Sequence, residues 1–227
     1  MKKTILISGG SEGFGKALAV AFAKKHNVVI LANDKKATEH AAHEIGCEFV
    51  IADITNYAEV ERAIATILKK HSAIDILINN AGLWAGGPLE GTSPKEIQRV
   101  IGVNTTGTIL LTRAILPSMK AGGRGRIINV ISHAGISAKK DRSVYNASKW
   151  AITGFTKSLQ TELVGSGVTV TGFYPGSMKT NLFKNAGEER DMSRYMELPE
   201  VVRAVEFIVE TPDELEIPEL GIKPSWY

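Results

Sequence analysis

Tyr145 and Lys149 stand one helical turn apart in Tyr145-Asn146-Ala147-Ser148-Lys149. That spacing places both on one helix face. An ammonium beside a phenol favours the phenolate and draws its pKa down from about 10. A tyrosine so placed becomes a usable general acid or base. Ser132, at the end of an apolar run, could hydrogen-bond a carbonyl oxygen beside that hydroxyl. Taken singly, the tyrosine–lysine pair is more simply an exposed helical pair.

A second cluster lies near the start: Gly9-Gly10-Ser11-Glu12-Gly13-Phe14-Gly15. Gly9 permits a tight turn, Gly13 lets backbone approach a pyrophosphate, and Gly15 lets a helix pack close to a strand. The following helix N-terminus offers unpaired N–H groups and a positive dipole end. A glycine-rich turn without ligand is the bland alternative. A Walker loop is excluded, because Gly15-Lys16 is followed by Ala17. Asp34 sits where a ribose-reading acid belongs, at the end of the second strand. Its carboxylate, with Glu12 on the turn, favours NAD over NADP, although Lys35 and Lys36 follow. Asp34 is equally suited to be an N-cap.

These residues need elements to hold them. Strands are expected at Thr4–Ser8, Val28–Ala32, Glu48–Ala52, Ile74–Asn79, Arg126–Ile131 and Thr169–Tyr174. Leu215–Ile222 reads as a last strand that Pro218 confines to an edge or breaks. Helices are expected at Phe14–Lys25, Ala37–Ile45, Tyr57–His71, Pro94–Met119, Ser143–Val164 and Pro199–Val209. Strands alternating with helices imply parallel pairing with right-handed crossovers. Runs such as Val28-Val29-Ile30-Leu31 lack polar alternation, as strands covered on both faces do. The fold class is therefore α/β, a doubly wound parallel sheet of about seven strands.

The 227 residues and 44% hydrophobic content suit one domain with a sizeable core. Cys47 is the sole cysteine, so a disulfide framework and a cysteine-rich metal site are excluded, and no metal is expected. The apolar start stops at Ser8-Gly9, too early for a signal peptide, and no uninterrupted apolar stretch spans a bilayer. A cytoplasmic protein is expected. A net charge of +3 with one interrupted basic cluster, Lys139-Lys140-Asp141-Arg142, gives no case for nucleic acid.

In order along the chain, the motifs resemble those of the short-chain dehydrogenase/reductase family. They are the glycine turn, Asp53, Asn79-Asn80-Ala81-Gly82, Asn104 in Val103-Asn104-Thr105-Thr106-Gly107, Ser132, Tyr145 with Lys149, and Pro175-Gly176-Ser177-Met178-Lys179-Thr180. The resemblance covers nearly the whole chain and implies a Rossmann-type domain over 1–227 carrying cofactor and substrate sites. It implies an NAD(P)-dependent oxidoreductase that interconverts a carbonyl and a secondary alcohol. Tyr145 would be the acid/base, Lys149 would assist it and hydrogen-bond the nicotinamide ribose, and Ser132 would polarise the carbonyl. Asn104 would hold a water linking Lys149 to solvent. Asp53 and Ile54 would meet the adenine, and Asn80, Ala81 and Gly82 the central cofactor crevice. Pro175, Gly176, Met178 and Thr180 would hold the carboxamide and phosphates. Ser11 and Phe14 in the turn, and Asn33 beside Asp34, complete the expected cofactor contacts.

The resemblance has departures. The usual acid of NAD-dependent members falls nearer Ala32, and the usual arginine of NADP-dependent members nearer Asn33, and neither is present. The tail lacks the glycine-rich ending of fatty-acid-synthesis ketoacyl reductases. It is more similar to short reductases of small hydroxy acids or miscellaneous carbonyls. Residues 181–198 are expected as a substrate loop, with Leu182, Phe183, Tyr195 and Met196 as an apolar lid, and with Trp84 and the segment from Ala134 to Arg142 adding candidates. His133 is expected to be an incidental loop residue, and Asn79 to tie strands together. Resemblance also implies a homodimer or homotetramer paired through the two long helices. A non-catalytic dinucleotide-binding redox sensor or scaffold is the alternative of a different class.

Overall fold

A computed structural model describes residues 2–226. Seven strands form one sheet, all parallel, in the order β3-β2-β1-β4-β5-β6-β7. They are β1 (Thr4–Ser8), β2 (Asn27–Ala32), β3 (Glu48–Ile51), β4 (Ile76–Asn79), β5 (Gly125–Val130), β6 (Val168–Pro175) and β7 (Glu219–Ile222). The helices are α1 (Gly13–Ala23), α2 (Lys35–Ile45), α3 (Tyr57–Lys70), α4 (Pro94–Ile101), α5 (Thr108–Ala121), α6 (Ser143–Glu162) and α7 (Leu198–Glu210).

Successive strand residues point to opposite faces, so one apolar run feeds two cores. Ile5, Ile7, Ile30, Ile78 and Phe173 pack against α1, α2 and α7 through Leu18, Phe22, Ala41, Val201 and Val205. Leu6, Val29, Leu31, Leu77 and Val170 pack against α3, α5 and α6 through Ile64, Ile67, Leu111, Ile115 and Leu159. The Rossmann-type, doubly wound arrangement expected from the sequence is thus present.

Most element ends fall within two residues of expectation, and three differences have a local cause. The long helix from Pro94 is interrupted by a π-helical turn at Gly102–Gly107 that separates α4 from α5. Such turns frequently mark functional sites. Strand β4 begins at Ile76, where Asp75 turns its carboxylate to accept from Thr4 N at 2.7 Å. The last strand is shorter, because Pro218 has no N–H to pair. Its carbonyl still accepts from Gly172 N at 2.9 Å and Gln160 Nε2 at 2.8 Å, and β7 lies at the sheet edge.

The continuous helical run Pro94–Ala121 is long and apolar enough by composition to cross a membrane. Here its Leu111, Ile115 and Met119 sit in the second core. At the start of β5, Arg126 is buried and donates to the carbonyls of Ile208, Thr211, Pro212 and Leu215, which anchors the chain after α7. Cys47 is half-buried against the first core, and burial pushes its thiol up to about 11.

Candidate active site

A cavity of about 690 Å³ opens over the C-terminal ends of the strands. Strand order reverses between β1 and β4, so the loops leaving them diverge and expose a crevice. The glycine turn forms one wall. Gly9 and Gly13 have φ of 65° and 52°, a region that favours glycine. A Cβ on Gly15 would lie 2.2 Å from Gly9 O, so only glycine lets α1 approach this closely. Asn80 clamps the turn, donating from Nδ2 to the carbonyls of Ser8 (3.1 Å) and Gly9 (3.2 Å). Ser8 Oγ accepts in return from the backbone N–H of Asn80 and of Ala81.

Helix α1 starts after Glu12, whose side chain makes no capping bond, and its first turn holds no acid. Gly13 and Phe14 line the cavity, so the orphan N–H groups of the first turn sit at its wall. Asn33, Asp53, Ile54 and Thr55 line one end. Asp53 Oδ1 accepts from Thr55 N and Thr55 Oγ1, both at 2.8 Å. Asp34 does not line the cavity. Its carboxylate accepts from Ala37 N at 3.0 Å, so it serves as the N-cap of α2. Ser11, Ala81, Gly82, Pro175, Gly176, Met178 and Thr180 line the middle.

At the other end stand Ser132, Tyr145 and Lys149. Tyr145 and Lys149 are 7% and 6% exposed, so the reading as a solvated helical pair fails. Lys149 Nζ lies 5.8 Å from the Tyr145 ring centroid and donates to Val130 O at 3.1 Å. Burial lowers its pKa to about 8. Ser132 has φ 123° and ψ 156°, a backbone region nearly reserved for glycine. Its Oγ accepts from Ala134 N at 3.2 Å.

Asn104 sits in the π-helical turn, behind the cavity wall. Its Oδ1 accepts from Leu83 N (2.7 Å), and its Nδ2 donates to Leu83 O (2.9 Å) and Ser148 Oγ (3.0 Å). A Cβ on Gly82 would lie 3.4 Å from Asn104 Oδ1 and 3.7 Å from Lys149 Nζ. Both polar groups therefore flank the Gly82 backbone. Asn79 ties neighbouring strands, donating to Thr112 Oγ1 (2.9 Å) and Asn129 Oδ1 (2.8 Å). His133 pairs its Nδ1 with Ser137 Oγ at 2.6 Å.

Of the expected lid, Leu182, Phe183 and Tyr195 cluster with Trp84 and Tyr145. Met196 does not join them. It forms a bridge with Met178 and packs into the first core. Residues absent from the sequence-based expectation also appear, as Thr55, Gln98 and Arg99 line the cavity; within the expected loop 181–198, Asn185 Nδ2 donates to Glu12 Oε1 at 2.7 Å. Gln98 and Arg99 lie on α4.

Residues 3–191 match the family described as short chain dehydrogenase. The chain belongs to this family. Short-chain dehydrogenases similar to it include the 3-oxoacyl-[acyl-carrier-protein] reductase of Synechocystis, 35% identical over 91% of this chain and 89% of that protein. Among solved structures, an alcohol dehydrogenase from Thermococcus sibiricus, complexed with 5-hydroxy-NADP, has a TM-score of 0.91 at 25% identity, covering 100% of this chain and 98% of that one. The 3-ketoacyl-(acyl-carrier-protein) reductase from Brucella melitensis, complexed with NADH, has a TM-score of 0.88 at 31% identity, covering 97% and 96%. Family membership makes this chain an oxidoreductase with an NAD(P)-binding Rossmann-type fold. The glycine turn, the uncapped α1 N-terminus and the acid at Asp53 fit a dinucleotide lying across the crevice.

Proposed function

We propose that the protein interconverts a carbonyl and a secondary alcohol, with Tyr145 as acid/base and a nicotinamide dinucleotide as cofactor. The observation that carries this is the placement of Tyr145, Lys149 and Ser132 at one end of a cavity whose wall is the glycine turn. The cofactor, when bound, supplies or accepts the hydride.

The chain's own residues handle the proton and the orientation. The main-chain N–H groups of Gly13 and Phe14 receive phosphate oxygens, and Asp53 and Ile54 receive the adenine. Asn80, Ala81 and Gly82 line the centre, while Pro175, Gly176, Met178 and Thr180 support the nicotinamide end. Tyr145 gives its proton to the carbonyl oxygen in reduction and takes it back in oxidation. The Lys149 ammonium stabilises the negative charge left on the tyrosine oxygen and reaches the nicotinamide ribose. Ser132, its Oγ accepting from Ala134 N, orients the substrate oxygen. Asn104 Oδ1 and Lys149 Nζ flank Gly82, which suits a water held there to return protons from solvent.

Glu12 lines the cavity beside the turn, and its charge disfavours a ribose 2′-phosphate. On that ground NAD(H) is the preferred cofactor, with Asp34 no longer part of the case. Tighter NADPH than NADH binding in a fluorescence titration would refute this. Residues 181–198 form the substrate loop of a single domain. The outer faces of α5 and α6 pair subunits through Ile109, Leu116 and Phe155, which line a second concavity, giving a dimer or tetramer that light scattering would detect.

The test is Tyr145→Phe, assayed on a panel of carbonyls and alcohols by nicotinamide absorbance. Turnover is expected to vanish while dinucleotide binding persists. Unchanged turnover sinks the mechanism. An inactive wild type that binds dinucleotide tightly favours the sensor reading.

A further inference from the structure

The cavity end around Tyr145 is walled by aromatic rings. Trp84 is 3% exposed, with its ring centroid 4.6 Å from that of Tyr145 and 4.9 Å from that of Phe183. Two guanidiniums lie against this wall. Arg190 sits 4.7 Å over Trp84 and 4.1 Å over Phe183. Its charge is matched by Glu188, whose Oε2 accepts from Arg190 Nε (2.9 Å) and Nη2 (2.5 Å). The other oxygen of Glu188 accepts from Trp84 Nε1 at 2.6 Å. Glu188 is therefore fully committed and neutralised.

Arg142 is different. It lines the cavity, is half-buried, and holds its Cζ 5.2 Å from the Trp84 ring centroid. Among the described residues its guanidinium has no ion pair or hydrogen bond. The backbone of Arg142 is fixed by its carbonyl, which accepts from Asn146 N at 2.8 Å, so the side chain springs from a rigid point one turn before Tyr145. Among the described residues it is the charged cavity-lining side chain whose cation lies over Trp84. A guanidinium stacked on an indole is partly stripped of water and presents its planar fork to an incoming carboxylate.

We propose that Arg142 is a specificity-determining residue and that the substrate is a small oxo or hydroxy acid. Its carboxylate pairs with Arg142 while its carbonyl or hydroxyl oxygen sits at Tyr145. The inference rests on the proposed oxidoreductase function and adds the substrate class to it. Trp84, held by Glu188, is the plate that keeps the fork and the tyrosine on the same side of the substrate.

The experiment compares wild type, Arg142→Gln and Arg142→Lys in two arms. In the kinetic arm, 3-oxobutanoate is set against its methyl ester. Wild type is expected to favour the acid by at least about tenfold in kcat/KM, and Arg142→Gln to lose about 100-fold on the acid, chiefly through KM. The ester should change by less than about threefold, and Arg142→Lys should recover part of the loss because it keeps charge without the fork. In the binding arm, tryptophan fluorescence of the NADH-loaded protein is titrated with butanoate, butanamide and propyl phosphate. Butanoate binding that disappears in Arg142→Gln supports the inference, and propyl phosphate binding more tightly than butanoate overturns it. Equal turnover of acid and ester, unmoved by Arg142→Gln, overturns it while leaving the oxidoreductase reading intact. Turnover of neither by a wild type active on other carbonyls of the panel overturns the inference, whereas inactivity on the whole panel with NADH bound overturns the oxidoreductase reading instead.

Discussion

Replacing Lys149 by methionine should stabilise the protein while abolishing its turnover. Lys149 is buried and, in the absence of ligand, makes one hydrogen bond among the described residues, to Val130 O. Burial has lowered its pKa to about 8. A fall from an ordinary lysine value of about 10.4 corresponds to roughly 3 kcal/mol of destabilisation while the group is charged. Methionine fills similar space without a charge. Leaving the Val130 carbonyl without its donor costs about 1 kcal/mol. The net gain at pH 7 is about 2 kcal/mol, or a Tm rise of about 4–8 °C for a chain of this length. The sign in pH follows from the folded value lying below the unfolded one. Below about pH 8 both states are charged, and the folded state carries the whole penalty. Between there and about pH 10.4 the folded state sheds its proton first, so wild type gains stability as pH rises and the advantage of Lys149→Met shrinks. Urea unfolding of both proteins at pH 7 and pH 10 measures this. A variant less stable than wild type at pH 7, or a difference that does not change with pH, would refute the reasoning.

Two further substitutions probe the same end of the cavity. Ser132→Gly should relieve a backbone strain of about 1–3 kcal/mol and raise the unfolding midpoint, with turnover lost along with the hydroxyl; a lowered midpoint would contradict this. Gly82→Ala places a methyl in ordinary contact with Asn104 Oδ1 and Lys149 Nζ. It should fold normally, yet slow turnover at saturating dinucleotide by at least about tenfold if a proton path passes there. Wild-type turnover in Gly82→Ala would place the proton path elsewhere.

The sheet was legible because strands covered on both faces carry unbroken apolar runs, as in Thr4–Ser8. Glycines constrained by sterics, Gly9 and Gly15, were equally legible, since no other residue fits their positions. Tyr145, Lys149 and Ser132 could be read from side-chain chemistry and from their order along the chain. Asp34 shows where this fails: a carboxylate at the end of a strand and the start of a helix suits two jobs, and only the position of Ala37 N decides. The π-helical turn was harder to read, because Gly102 and Gly107 bracket it but apolar residues at helical spacing stand on both sides, so Pro94–Met119 reads as one helix. The contact of Trp84 with Glu188 was out of reach for another reason. It joins distant parts of the chain, and no periodicity links them. Met196 follows Tyr195 in a charge-rich segment without clear periodicity, and composition cannot say that one packs at the cavity and the other in the core.

Strand β5 has a buried cation at each end. Arg126, at its start, is met by the carbonyls of Ile208, Thr211, Pro212 and Leu215, whereas Lys149, near its finish, is met by Val130 O. The comparison sorts the two by unfinished valence. Arg126 is complete as folded and behaves as a rivet, indifferent to whatever the protein binds. Lys149 is a socket, held in place by the surrounding packing and still short of partners. One strand thus carries a permanent fastening and meets a reserved one reaching it from α6, and a tally of unused donors on buried cations separates scaffold from working part before any ligand is in view.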